Sequence, residues 1–176
     1  MALPVVRARD EAHLYLDLRP CDCGSVETDW ESGVVAVEAT LATAYSGTCS
    51  ACGAEREFVF ALPEREVPPE GFPTFGGPEP SQLLDAGEWL WVADLTAGNV
   101  PPDDPDAAHR ALTIARAAVE EVLKFIPDDQ DDLPDQAFWS ERGTRVRAEE
   151  PGRFGRERLM IVRDTYRDLA AEYRPA

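Results

Sequence analysis

Four cysteines constrain this chain more than any other feature. They fall in two pairs, Cys21-x-Cys23 within "PCDCG" and Cys49-x-x-Cys52 within "TCSACG", and each pair is closed by a glycine, Gly24 and Gly53. Paired thiols at such short spacing are the ligand pattern of tetrahedral zinc. A glycine behind the second thiol lets the backbone turn and aim its amides at sulfur. Structural disulfides are disfavoured in a reducing compartment. Two reduced, metal-free pairs are one competing reading, and a redox pair at Cys49 and Cys52 is another. The redox reading expects a βαβ setting, whereas strand-like segments flank this motif. Four thiolates leave no open position for water, so the Zn²⁺ expected at Cys21, Cys23, Cys49 and Cys52 is structural.

Bringing the pairs together dictates the path of the chain. Leu14, Leu16 and Leu18 alternate in 13–18; Val35, Val37, Ala39, Leu41 and Tyr45 share a face in 34–45; Phe58, Phe60 and Leu62 share one in the last segment. A straight strand of twelve residues at ~3.3 Å each would hold Cys23 and Cys49 roughly 40 Å apart, beyond the reach of one ion. The chain therefore goes out and returns. Ser25–Trp30 is expected as the outward strand and Glu31-Ser32-Gly33 as the reversal. The order strand, knuckle, strand, turn, strand, knuckle, strand predicts a four-stranded zinc ribbon over residues 1–63.

Residues 63–80 hold six prolines and three glycines, so 64–80 reads as a linker or a wrapping loop. Beyond it the periodicity predicts helices from Ser81 to about Ala97, from Pro105 to Ile126, and from Gly155 to Tyr173, with a short one over Pro134–Trp139. The expected fold is α+β: an N-terminal four-stranded zinc ribbon packed on a C-terminal bundle of three to four helices, the helical region running over 81–176.

The net charge is −17, distributed as −6 over 1–63, −13 over 64–135 and +2 over 136–176. A field of this sign repels phosphate backbones and attracts basic proteins. Zinc ribbons often bind nucleic acid, but residues 1–63 offer only Arg7, Arg9, Arg19 and Arg56 against ten acids. The start, MALPVVRARDEAHLYLDL, carries acids where a secretory peptide needs an apolar run, and no apolar stretch approaches the ~18 residues that span a membrane. The cytoplasm is the expected compartment.

No catalytic constellation stands out. His13 sits in an alternating segment and His109 in the first turn of a helix, and Gly76-Gly77-Pro78 lacks the lysine of a phosphate-binding loop. The expectation is a non-catalytic module with a basic protein partner, bound through Asp128, Asp129, Asp131 and Asp132, with Asp103 and Asp104 next. Trp30, Trp89, Trp91 and Trp139 are the aromatic candidates for affinity.

The segments "PCDCG", "YSGTCSACGAEREFVFALPE", "VLKFIPDD" and "PGRFGRERLMIVRDTYRDLAAEY" together resemble small acidic cytoplasmic immunity proteins encoded beside bacterial polymorphic toxins. That resemblance implies an inhibitor that occludes a toxin domain, often a basic nuclease. A zinc-ribbon adaptor in a transcription or translation assembly is the alternative expectation.

Overall fold

The computed structural model describes residues 2–66 and 68–174, so Val67 of the proline-rich segment lies outside the described residues. The chain divides into two compact units, Met1–Glu70 with Thr74–Gly77, and Gly71–Pro73 with Pro78–Ala176.

The first unit consists of α1 (Arg9–Asp17), β1 (Thr28–Val37), β2 (Thr40–Cys49) and β3 (Glu55–Ala61), with the strands antiparallel in the order β1-β2-β3. The segment expected as a first strand is instead α1. Leu14, Leu16 and Leu18 do alternate, but the apolar residues fully buried are Ala12 and Leu16, one helical turn apart. Asp10 and Glu11 occupy the first turn, where the helix dipole favours carboxylates. Glu11 is itself buried and receives Arg7, whose amide, Nε and Nη2 donate at 2.8, 3.0 and 2.7 Å. Tyr15 reaches from α1 to meet Phe58 and Phe60 edge-on at 5.8 and 5.4 Å, and His13 meets Tyr45 in the same way at 5.6 Å. These aromatics lie on one face of the sheet because Tyr45 stands opposite Phe58 in the register.

Among the described residues the sheet has three strands, not four. Val5 forms only an isolated parallel bridge to Ala61. The reversal also falls later than expected: Ser32 and Gly33 lie inside β1, paired with Tyr45 and Ala44, and the chain turns between Val37 and Thr40. Glu38 takes φ 52° there, a left-handed conformation that disfavours a side chain by roughly 1–2 kcal/mol. Part of the proline-rich segment wraps back onto this unit. The Thr74 amide donates to Asp10 Oδ2 at 2.9 Å, and Phe75 is buried.

The second unit is helical: α2 (Ala86–Gly98), α3 (Pro105–Leu123), α4 (Glu141–Glu149) and α5 (Arg156–Glu172), with 3-10 turns at Asp135–Ala137 and Pro151–Phe154. Helix α3 packs against both α2 and α5. It opens with Asp104 accepting from the Ala107 amide at 2.9 Å and buries Ala108, Leu112, Ala115, Val119 and Val122. Ser81 does not cap α2. Its hydroxyl accepts from the amides of Leu83 and Leu84 at 3.1 Å each, and the helix begins at Ala86 under a capping box formed by Asp85 and Glu88.

Asp85 does more than cap. Fully buried, it takes the Glu88 amide on Oδ1 at 2.8 Å and the amides of Trp139 and Ser140 on Oδ2 at 2.9 and 2.6 Å. One carboxylate thus anchors the starts of α2 and α4 together. Gly87 and Gly143 allow that approach, since a Cβ on Gly87 would overlap the Gly143 backbone. Among the described residues no helix is long and apolar enough to cross a membrane.

This packing sets two expectations for chemical denaturation. Gly87→Ala pushes α2 and α4 apart and lowers stability by about 2 kcal/mol. Asp85→Ala strands one buried and two half-buried amides and lowers it by roughly 3 kcal/mol. An unchanged denaturation midpoint in both variants would contradict this account of the junction.

Candidate metal centre

Both cysteine pairs sit in tight turns at the same end of the β1–β2 hairpin. Cys49, the last residue of β2, is paired in register with Thr28, the first of β1. In the first knuckle the Gly24 amide donates to the Cys21 carbonyl at 2.7 Å and the Cys21 amide to that of Ser25 at 2.8 Å. In the second, the Gly53 amide donates to the Cys49 carbonyl at 2.8 Å and the Cys49 amide to that of Ala54 at 2.9 Å. The two turns repeat one geometry, with Gly24 at φ +89° and Gly53 at φ +75°, a region glycine enters without a steric penalty. The Ser50 amide, donating to the Glu27 carbonyl at 3.0 Å, ties one knuckle's exit to the other.

The result is a tetrad of sulfurs all within 4.8 Å of one another. Cys21 Sγ lies 3.6 Å from Cys52 Sγ, and Cys23 Sγ 3.7 Å from Cys49 Sγ. A disulfide would bring its sulfurs to about 2.05 Å; none of these four cysteines is in a disulfide. Sulfurs at the corners of a tetrahedron around an ion with bonds of ~2.3 Å stand about 3.8 Å apart, close to the observed spacing. The tetrad is therefore fit to hold a metal ion. Each pair contributes one buried sulfur residue, Cys21 and Cys49, and one exposed, Cys23 and Cys52, so the cluster lies at the protein surface with its back to the core.

Arg56 braces the centre. Its Nη1 donates to Thr28 Oγ1 at 3.1 Å and its Nη2 to the Arg19 carbonyl, joining β3 to the chain on either side of the first knuckle. The guanidinium lies 4.9 Å over the Trp30 ring, and that of Arg19 lies 4.4 Å over Tyr15. Nothing in the sequence pattern singles out Arg56. Its register opposite Gly47, two residues from Cys49 on β2, is the signal that finds it.

In the metal-free protein the thiols are not equivalent. The Cys52 and Ala51 amides, with smaller help from neighbouring thiols, lower Cys49 from 9.0 to about 6. At Cys52 the Ala54 amide pulls downward, but the crowding of Cys23, Cys21 and Cys49 prevails and pushes it up to about 12. One negative charge in the tetrad is stabilised and further ones repel it, until a cation enters.

The other expected site residues are dispersed. Asp128, Asp129, Asp131 and Asp132 form an exposed connector after α3. Asp103 and Asp104 are exposed at the opposite end of that helix, where Asp104 serves as its cap. His109 Nδ1 lies 2.8 Å from the Ala170 carbonyl, fastening α3 to α5. Trp89 is fully buried and Trp91 lies beneath Arg142; Trp139 is the most exposed of the four tryptophans, at 50%, beside Phe125.

No protein family, curated protein or solved structure gives a match to this chain.

The unequal thiols set a pH dependence for the metal-free chain. Because Cys49 ionises below its ordinary value, its contribution to stability is complete above pH 9.0 and is lost as pH falls through about 6. Cys52 behaves oppositely, contributing fully below pH 9.0 and losing that contribution as pH rises through about 12. Thiolate absorbance of the chelated, reduced protein is expected to show a first step near pH 6 that Cys49→Ser removes. A single transition at the ordinary thiol range would contradict the assignment.

Proposed function

We propose that the tetrad binds Zn²⁺ as a structural ion, and that the chain is a non-catalytic module that works by binding a basic protein. The observation that carries this reading is the closed set of four sulfurs. Four thiolates complete a tetrahedral shell and leave no position at which water or substrate would be activated. The zinc chemistry available is then architectural: the ion joins Cys21 and Cys23, ahead of β1, to Cys49 at the end of β2 and Cys52 just beyond it, and so holds the open end of the hairpin. A filled site carries about −2 and adds to the acidity of the chain.

The net charge of −17 supports a basic partner and opposes a nucleic-acid one. In the immunity setting that the sequence resembles, the partner is a toxin domain whose active site the chain occludes, with acidic side chains steering the encounter.

Two measurements test the two halves. Chelation is expected to release one equivalent of zinc per chain and to lower the melting temperature, and Cys21→Ser to reproduce that loss. A chain that melts identically with and without metal would refute the structural role. Capture of partners by the tagged chain in its native cell at low salt is expected to recover a basic protein whose activity the purified chain inhibits in proportion to binding. Recovery of transcription or translation components in its place would refute the immunity reading and favour an adaptor.

A further inference from the structure

The acidic connector and the outer face of α5 form a shallow groove in the second unit, about 600 Å³ in volume. The connector's backbone is fixed from α5. Arg156 Nη2 donates to the carbonyls of Pro127 and Gln130 at 2.9 and 3.0 Å, and the Arg156 amide donates to the Asp131 carbonyl at 2.7 Å. Asp132 bridges to Gly155. The cation beside the connector is thus committed to main-chain oxygens. The carboxylates of Asp128, Asp129, Asp131 and Asp132 make no hydrogen bond or ion pair with the described residues. Like charges are held together on a pinned loop, an arrangement that repels itself until a cation approaches.

Next to these carboxylates α5 exposes an apolar pair, Met160 at 41% and Ile161 at 56%. Glu157 and Asp164 lie on the same helical face, at spacings of three and four residues, with Asp164 already ion-paired to Arg163 and Arg167 at 2.9 and 3.2 Å. Leu159, on the other side, is the one that enters the core. The groove therefore has an uncovered aliphatic centre and a carboxylate rim, the layout of a protein interface whose anchor is apolar and whose edge is charged.

We propose that this groove docks a basic protein segment bearing an aliphatic or aromatic anchor. The anchor lies on Met160 and Ile161, and flanking arginines or lysines reach Asp131 and Asp132 on one side and Glu157 on the other. The inference rests on the basic-partner reading and adds where the partner binds and what besides charge it needs. A pinned connector has little freedom to lose on binding, which favours affinity.

The test uses two synthetic peptides and the full, metal-loaded chain. One peptide is helical, with arginines around a leucine face; in the other the leucines are replaced by glutamine. Isotope-labelled protein is expected to show amide shifts over 128–132 and 157–164 with the first peptide. That peptide should bind roughly tenfold more tightly than the second, a preference that Met160→Gln and Ile161→Gln erase while metal content and melting temperature stay unchanged. Asp131→Asn with Asp132→Asn should flatten the salt dependence. Equal binding of the two peptides, or shifts confined to other surfaces, would overturn the proposal. So would a concentration-dependent dimer in sedimentation that Ile161→Gln abolishes, since the groove would then belong to a second copy of this chain. If a native basic partner is captured equally by wild type and by Ile161→Gln, the groove fails and the basic-partner reading stands. If the peptide results hold but no basic protein is captured, the groove stands and the reading fails.

Discussion

The four sulfurs of the first unit are brought together at one end of a hairpin. Cys21 and Cys23 precede β1, Cys49 ends β2 in register with Thr28 and Cys52 follows it, so the cluster forms only if the two strands are in register. The dependence runs both ways. A three-stranded sheet backed by one nine-residue helix is a small core, and units of this size commonly need a metal or a disulfide to stay folded. An ion at the knuckles would close long loops of the unfolded chain at one point, where loop-closure entropy makes a cross-link effective. Arg56 supplies the remaining connection, from β3 to the chain on either side of the first knuckle.

Much of this was legible in the sequence, for a stated physical reason. The spacing of the cysteines and the length of the intervening strand-like residues required an excursion and a return, and the structure has both. The position of the turn was not legible from turn chemistry. Ser32-Gly33 carries the signal, but the chain reverses at Glu38, which adopts a left-handed conformation without the glycine that usually marks one. A better guide was available: a hairpin whose ends meet must turn near its middle, and Ala36 lies midway between Cys23 and Cys49. The strand expected at 13–18 failed because alternation over six residues does not exclude a helix. Arg7 and Glu11, four apart, and Ala12 and Leu16, four apart, were the competing signal, and burial of that set decided the outcome.

In the second unit the long helices were read from periodicity, and the junction between them was not. Helix α4 is polar and contains Gly143, so no apolar stripe announces it. What places it is Asp85, a single carboxylate shared among the amides of two helix starts that are far apart in sequence. Such tertiary capping has no local signature beyond the Asp85–Glu88 capping box. The same economy of charge appears at Arg156. By binding carbonyls it shapes the acidic connector without pairing with its carboxylates. The sulfur centre and the acidic groove lie in different units, the first among the residues of the hairpin and the second along α5.

The central claim is that all four cysteines close around one zinc ion. X-ray absorption at the zinc edge of the purified holoprotein tests it most directly. The account predicts a single shell of four sulfurs at about 2.3 Å with no light-atom ligand. A shell containing oxygen or nitrogen in place of a sulfur would contradict it, as would protein that carries no stoichiometric metal.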